Sequence, residues 1–257
     1  MPAGKGTVRI DRDGARTTVT WDRPPVHVFD VALLEDLASA LRSEPAHQAQ
    51  VVVLRGSNHR WSAGFAVEDH LGDRVVQMFS AFDSVLASIA SIPGPTVAVV
   101  EGPCLGGGLE LLSACDLALA ASSATFGQPE IRLGVFPPLG AATYGRRLGS
   151  KRAAELLLLG ETLTARQAQE FGLVGRVVPD EQVEKEADGM VKRLEGFRKE
   201  TLILLKEVMR EQEPDPGAAL ARAERAYLQR LMNLPQPEEG LRAFLEKRTP
   251  VWPATAP

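Results

Sequence analysis

The chain has 257 residues, 44% of them apolar and 24% charged, so it is long enough to bury a sizeable core and too apolar to be disordered. Thirty-three acidic residues against 29 basic ones give a formal net charge of −4, which excludes an overall basic surface for nucleic acid or an anionic membrane. We therefore expect a small-molecule ligand, with no nucleic acid and no membrane as partner.

Targeting and metal signals are missing from the sequence. The first 14 residues lack the apolar core of a signal peptide, and no apolar run reaches about 18 residues. The spacing of Cys104 and Cys115 fits no metal-binding motif, and we expect both to be core thiols in a reducing compartment. The four histidines are scattered, and no HExxH or paired CxxC occurs. We expect a cytoplasmic protein without a metal site.

The chain begins with a predicted β-hairpin. Residues 7–10 and 17–21 are short, β-branched stretches, and Asp13 and Gly14 between them are typical of a turn. Asp30 is a candidate N-cap for a helix whose apolar residues recur at helical spacing as far as Leu41.

Strands and helices then alternate. Pro45 is expected to break the first helix, and residues 51–54 indicate a buried strand. A helix is predicted from Arg74 to Ile92, followed by a second buried strand over residues 96–100. A further strand is predicted over residues 117–120. The pattern predicts an α/β fold with mixed strand pairing.

Beyond Gly140 the sequence predicts an almost wholly helical region. Thr164 and Gln167 form a capping box, and Gly172 is a candidate stop for that helix. Longer helices are predicted at about 180–195, 197–212 and 216–232, with Pro214 and Pro216 separating the last two. A final amphipathic helix over residues 238–248 has an apolar face that needs covering, and another subunit could cover it.

Two loops are candidate donors to a developing negative charge. Small residues at 62–64 allow a carbonyl group to approach the N–H of Phe65, and three glycines at 106–108 do the same for Gly107 at the start of a helix. Their spacing fits neither a dinucleotide fingerprint nor a P-loop, so no cofactor is expected. Glu110 and Glu130 follow these features and suggest an acid/base pair. Each also has an ordinary alternative, since a helix glutamate is usually solvated and one at a helix entry is often a cap.

Six blocks of sequence, in this order, resemble the crotonase or enoyl-CoA hydratase/isomerase superfamily. They are DRPP at 22–25, SAG at 62–64, LGGGLELLSACDLALAA at 105–121, FGQPEIRLGV at 126–135, GETLTARQAQEFGLVGRVVP, and EGLRAFLEKRTPVW near the end. The resemblance extends over nearly the whole chain.

The resemblance implies a spiral of repeated β-β-α units over residues 1–195 and a helical region over residues 196–257 that builds trimers or dimers of trimers. It implies an acyl-CoA thioester whose carbonyl lies between the N–H groups of Phe65 and Gly107. Glu110 and Glu130 match the two catalytic glutamates of the hydratases. We assign Glu110 as the base that activates water and Glu130 as the proton donor to C2, although the two roles could be exchanged. Further substrate contacts are implied at five residues: Val26, Ala63, Gly64, Ala66 and Gly106.

Three departures from the commonest hydratase pattern surround the expected acyl pocket. His27 stands where Asn is frequent, Ala66 where Asp is frequent, and VFPPLGAAT at 135–143 where a glycine-rich stretch is usual. The segments SAGFAVEDH and FGQPEIRLGVFPP are more similar to hydratases of cyclic dienoyl-CoA esters in anaerobic aromatic breakdown than to those of fatty-acid β-oxidation. The alternatives are a cyclohexa-1,5-diene-carbonyl-CoA hydratase, an enoyl-CoA isomerase, an RNA-binding protein of the same fold, or a structural subunit of a complex.

Recognition of the CoA phosphates is harder to predict. Arg23, Arg60, Lys247 and Arg248 lie near the matched blocks and are candidates, although a solvated charge is the commoner role for each of them.

Overall fold

The structure is a computed structural model that describes residues 6–211 and 216–253. Two sheets and a series of helices make up this part of the chain. The strands are β1 (Thr7–Asp13), β2 (Arg16–Asp22), β3 (Val51–Gly56), β4 (Thr96–Val100), β5 (Pro103–Leu105), β6 (Leu117–Ala121), β7 (Thr125–Gly127), β8 (Thr162–Thr164) and β9 (Arg176–Val178). The helices are α1 (Val31–Leu41), α2 (Glu44–Gln48), α3 (Arg74–Ser91), α4 (Gly107–Ser113), α5 (Pro138–Arg147), α6 (Ser150–Leu159), α7 (Ala165–Phe171), α8 (Val183–Glu195), α9 (Lys199–Glu211), α10 (Pro216–Ala226) and α11 (Pro235–Leu245).

The larger sheet has six strands in the order β1-β2-β3-β4-β6-β9. Its first two strands form the predicted antiparallel hairpin, and every later pairing in this sheet is parallel. Strands β3 and β4 are apolar and buried almost throughout, as expected for parallel strands covered on both faces. The predicted mixed pairing is confirmed.

Helices α1 and α3 begin where the sequence predicted. Asp30 Oδ1 accepts a hydrogen bond from Leu33 N at 2.8 Å, which satisfies one of the free N–H groups in the first turn of α1. Helix α3 ends at Ser91, ahead of Pro93. The two helices pack against each other over the sheet.

Pro45 does not simply break α1. It lies in the first turn of a second short helix, α2, where its missing N–H has no intrahelical partner to lose. Nor is the region beyond Gly140 almost wholly helical: β8 pairs antiparallel with β7, and β9 pairs in parallel with β6. Strands of three residues are too short to show the alternation from which a strand is predicted.

The C-terminal region is helical as predicted, with shifted boundaries. The capping box of Thr164 and Gln167 and the left-handed Gly172 bound α7. The helix predicted over 216–232 is α-helical to Ala226 and continues as one π-helical turn, Tyr227–Leu231, while the last helix lies three residues earlier than predicted, at Pro235–Leu245. Pro214 lies outside the described residues, and the division at residue 195 stays a prediction. No helix within the described ranges is long and apolar enough to cross a membrane.

Candidate active site

The first predicted donor follows β3. Gly64 has φ +102°, a conformation that side chains disfavour, and its O accepts a hydrogen bond from Phe29 N at 2.8 Å. On the other side of Phe65, Ala66 N donates to Phe29 O at 2.8 Å. No acceptor among the described residues takes the N–H of Phe65 itself, so this group is available to a ligand.

The second donor opens α4. Gly106 has φ +52°, and Gly107 is the first residue of the helix, so its N–H has no intrahelical acceptor. A Cβ placed on Gly64 would lie 3.6 Å from Gly107 N, which shows how closely the two segments approach. The structure thus brings both predicted donors together. The Phe65 ring packs over Gly107 and edge-on against Phe82, with the ring centroids 4.8 Å apart, so its side chain has a packing role as well.

Glu110 lies on α4, three residues after the second donor, and is 1% exposed. Gly140 N donates to its Oε1 at 3.0 Å. Burial raises the pKa of Glu110 to about 7, while the backbone N–H groups of Gly140 and Leu139 limit the rise by stabilising the charged form. This carboxyl therefore changes its charge near neutral pH, which is the property required of a general base.

Glu130 lies in a short 3-10 helix, Pro129–Leu133. The residue is half-buried, but protein atoms enclose its carboxyl, and one carboxyl oxygen lies so close to Gly106 that a Cβ there would be 2.6 Å away. Burial, together with the charge of Glu110, holds the pKa of Glu130 well above its usual range. A raised pKa favours the protonated carboxyl, which is the form that can donate a proton.

A polar relay behind Glu130 was not predicted from the sequence. With the Gln128 amide oriented to satisfy its neighbours, its nitrogen donates to both Glu130 oxygens at 3.1 Å and its oxygen accepts from the Tyr144 hydroxyl at 3.0 Å. Tyr144 also lies 3.0 Å from Ser113 Oγ. Gln128 and Tyr144 are both fully buried. Gln128 lay within a matched block, but nothing in the sequence linked Tyr144 to it.

Comparisons with known proteins agree with this geometry. The model of the family described as enoyl-CoA hydratase/isomerase matches residues 13–255. The chain belongs to the enoyl-CoA hydratase/isomerase family. Membership indicates an enzyme that processes coenzyme A thioesters.

Individual relatives match over nearly their full length. A protein named cyclohexa-1,5-dienecarbonyl-CoA hydratase from Thauera aromatica is 31% identical, covering 95% of this chain and 95% of that protein. A probable enoyl-CoA hydratase of Rhizobium meliloti (strain 1021) is 32% identical, covering 94% of this chain and 96% of its own. The crystal structure of an enoyl-CoA hydratase from Mycobacterium avium subsp. paratuberculosis has a TM-score of 0.84 at 26% identity, covering 96% of this chain and 98% of that one. The crotonase-like α/β fold expected from the sequence is confirmed.

The implied substrate contacts surround the two donors. Ala63 N donates to Val26 O at 2.9 Å, which joins the entry loop, residues 23–27 after β2, to the first donor loop. Gly64 and Gly106 face each other, with a Cβ on Gly106 3.7 Å from Gly64 Cα, and Ala66 is 6% exposed. Their contacts with substrate remain predictions.

Of the departures from the hydratase pattern, His27 is structural in this molecule. It is buried with φ +51°, its Nδ1 accepts from Arg23 N at 2.9 Å, and its Nε2 lies 2.8 Å from Ser57 O. It holds the entry loop in shape.

The candidate phosphate-binding arginines already have partners. Arg23 pairs with Asp30 at 2.8 Å, Arg60 donates to Pro25 O, and Arg248 pairs with Glu239 and Glu246. The residues described by the structure include no group of three or more His, Cys, Asp or Glu placed to hold a metal, and both cysteines are free thiols. The expected lack of a cofactor stays a prediction.

Substituting Gly106 tests the crowding between the donors and Glu130. Gly106→Ala places a methyl group 2.6 Å from Glu130 Oε1 at a positive φ, so we expect a loss of about 1–3 kcal/mol in the free energy of unfolding. Chemical denaturation measures this loss. Gly145→Ala is the matched control, because a Cβ there meets nothing within 4 Å and lies in a helix, where alanine is favoured. Equal stability of the two variants would contradict the crowding.

Burial of the Glu110 carboxylate predicts a dependence of stability on pH. Because its pKa is raised by folding, the free energy of unfolding falls as pH rises from the ordinary value of 4.5 to about 7 and is then constant with respect to this group. Glu110→Gln carries no such charge, so its free energy of unfolding should not fall with pH on this account. The variant should therefore gain stability relative to wild type between pH 4.5 and about pH 7, by up to roughly 3 kcal/mol. Denaturation at pH 5 and pH 8 measures the difference. The exposed Glu155→Gln is the control, and an advantage independent of pH would contradict the assignment.

Proposed function

We propose that this protein is an enoyl-CoA hydratase, which adds water across the 2,3 double bond of an enoyl-CoA thioester. The observation that carries the proposal is the pair of enclosed carboxyls, Glu110 and Glu130, beside two backbone N–H groups that have no acceptor among the described residues. Hydration needs a base, an acid and donors for the thioester oxygen, and this site offers all three.

The thioester carbonyl is placed between the N–H groups of Phe65 and Gly107. When water attacks C3, the electron pair of the double bond moves toward C2 and the thioester oxygen, which becomes an enolate oxygen. Two donors at fixed positions stabilise that developing charge without having to reorganise. Removing one such donor typically costs about 10²–10³ in rate.

The pKa shifts of the two carboxyls support one assignment of roles. Glu110, with a pKa of about 7, takes a proton from water while the water oxygen bonds to C3. Glu130, whose pKa is held well above its usual range by burial and the nearby Glu110 charge, delivers its proton to C2. The product is the 3-hydroxyacyl thioester, and proton exchange returns the two carboxyls to their starting states.

A cyclic dienoyl-CoA is the second candidate substrate. The Thauera aromatica relative, which is named for such a substrate, is 31% identical over an alignment that covers 95% of this chain. Residues around the expected acyl pocket also depart from the commonest hydratase pattern. An isomerase would move the double bond by proton transfer alone and would not need a second carboxyl to activate water. The acidic net charge gives no support to RNA binding.

Turnover of two substrates by three proteins tests the proposal. The wild-type protein should hydrate crotonyl-CoA or cyclohexa-1,5-diene-1-carbonyl-CoA, and the reaction is measured as the loss of absorbance of the conjugated thioester. Glu110→Gln and Glu130→Gln should each lower kcat by about 10²–10⁴. In wild type, kcat/KM for hydration should fall as pH drops below about 7, where Glu110 becomes protonated.

The substrate that is turned over decides between the two hydratase assignments. Hydration of crotonyl-CoA favours substrates with linear acyl chains. Hydration of the cyclic thioester alone favours a cyclic dienoyl-CoA as the substrate. A wild-type protein that is inert toward both thioesters would contradict the proposal. Unchanged turnover in either Glu110→Gln or Glu130→Gln would contradict it as well.

We also propose that the chain works as a trimer or a dimer of trimers. Helix α9 carries exposed apolar side chains that a neighbouring copy would cover, with exposures between 46% and 63%: Leu204, Leu205, Val208 and Met209. Sedimentation velocity of the purified chain should give a trimer or hexamer, and replacement of Leu205 and Met209 by Glu should reduce the assembly. A monomeric wild type would contradict this. A cytoplasmic location stays a prediction.

A further inference from the structure

Tyr227 carries a buried hydroxyl group without a partner. The residue lies in the π-helical turn after α10 and is 1% exposed, and its hydroxyl oxygen has no hydrogen-bond partner within the described ranges. The ring packs edge-on against Phe79 and Phe136, with centroids 5.0 Å and 5.3 Å away. Phenylalanine would make the same ring contacts without the cost of an unpaired hydroxyl, so the structure gives this oxygen no role in folding.

The ring belongs to an apolar wall next to the two donors and Glu130. Tyr227 packs in one cluster with Val135 and Phe79, and Phe65, which carries the first donor, packs against the same cluster. Val135 N in turn donates to Glu130 O at 3.2 Å. The wall is therefore continuous with both the donor loop and the backbone of Glu130.

The hydroxyl lies within electrostatic reach of both carboxyls but is bonded to neither. Burial raises the pKa of Tyr227, and the charges of Glu130 and Glu110 raise it further. Neither carboxylate accepts a hydrogen bond from it. A bound oxygen atom would give the hydroxyl the partner that the protein does not supply, as ordered water does at many polar sites.

We propose that the Tyr227 hydroxyl forms a hydrogen bond with the oxygen atom that is added at C3, first as the attacking water and then as the hydroxyl of the 3-hydroxyacyl thioester. This inference rests on the proposed hydratase function. Tyr227 transfers no proton in the step: the water oxygen bonds to C3, Glu110 takes one water proton, and Glu130 gives its proton to C2. Tyr227 orients the oxygen and makes the site selective for an acyl group that carries oxygen at C3.

Selective binding distinguishes this contact from a packing role. In a Glu110→Gln background, which prevents interconversion during the measurement, the affinities of racemic 3-hydroxybutyryl-CoA and of butyryl-CoA are measured by calorimetry. The two thioesters differ at C3 by one hydroxyl group. Adding Tyr227→Phe should lower the affinity for 3-hydroxybutyryl-CoA by about fivefold to tenfold, which is the effect of one lost hydrogen bond. The affinity for butyryl-CoA should not change.

Phe136→Leu in the same background is the matched control, because it alters the wall around the ring without removing a polar atom. It should change the affinities of both thioesters together. If Tyr227→Phe also changes both equally, or changes neither, the proposed contact is wrong. If the Glu110→Gln protein binds neither thioester, the proposed hydratase function falls and this inference falls with it.

Stability and turnover provide a second, independent readout. In an otherwise wild-type protein, Tyr227→Phe should lower kcat/KM for the hydrated enoyl-CoA by about fivefold to tenfold while Tm stays the same or rises, because the removed hydroxyl has no protein partner. A lower Tm with unchanged turnover would overturn the proposal and assign Tyr227 a structural role. Hydration by wild type together with unchanged kinetics of Tyr227→Phe would leave the hydratase function standing and remove only this contact.

Discussion

The candidate site depends on the pairing of the loop after β3 with strand β5. Ser62 N donates to Pro103 O at 2.9 Å, and Leu105 N donates to Ser62 O at 3.0 Å, so two segments about 40 residues apart in sequence run side by side as a short parallel bridge. Phe65 follows one segment and Gly107 follows the other. The distance between the two donors is therefore fixed by backbone hydrogen bonds, which is the preorganisation that oxyanion stabilisation requires.

Two buried tryptophans support this bridge from the core side. Trp61 Nε1 donates to Gly108 O at 2.8 Å, while Trp21 Nε1 donates to Trp61 O at 2.7 Å, and the two indoles pack edge-on with centroids 4.7 Å apart. Strand β2, the first donor loop and helix α4 are thereby joined through side chains that are fully buried. A loop that must present a free N–H has few contacts of its own to hold it, and here the core supplies them.

The sequence predicted those parts of the fold whose signals are local. Asp30 before an apolar repeat and the Thr164–Gln167 capping box each define a helix start from a few neighbouring residues, and the structure has both. The short strands escaped prediction because pairing at a distance makes them: β8 is a strand only because Leu163 lies opposite Phe126. The π-helical turn at Tyr227 likewise has no local signal.

The residues of the candidate site also fall into those that local sequence predicted and those that only the structure revealed. Glu110, Glu130, Phe65 and Gly107 could be placed together because they lie within or directly beside motifs that resemble a known family, and the structure brings them together. What each residue does in catalysis stays a prediction. The residues that were missed act across the fold, such as Tyr144, which reaches Glu130 only through the side chain of Gln128. Resemblance locates residues inside matched blocks, whereas a contact between distant side chains has to be observed.

The two tyrosines of the chain show how a buried hydroxyl can serve the same pair of carboxyls in different ways. The Tyr144 hydroxyl is satisfied by Ser113 and Gln128, so it fixes the orientation of the amide that faces Glu130. The Tyr227 hydroxyl is equally buried but lacks any partner in the described structure. A satisfied network stabilises one arrangement of the protein, whereas an unsatisfied group lowers stability until something binds to it. An unsatisfied group beside the candidate site can serve to meet a ligand, and the free N–H groups of Phe65 and Gly107 belong to this class together with the Tyr227 hydroxyl.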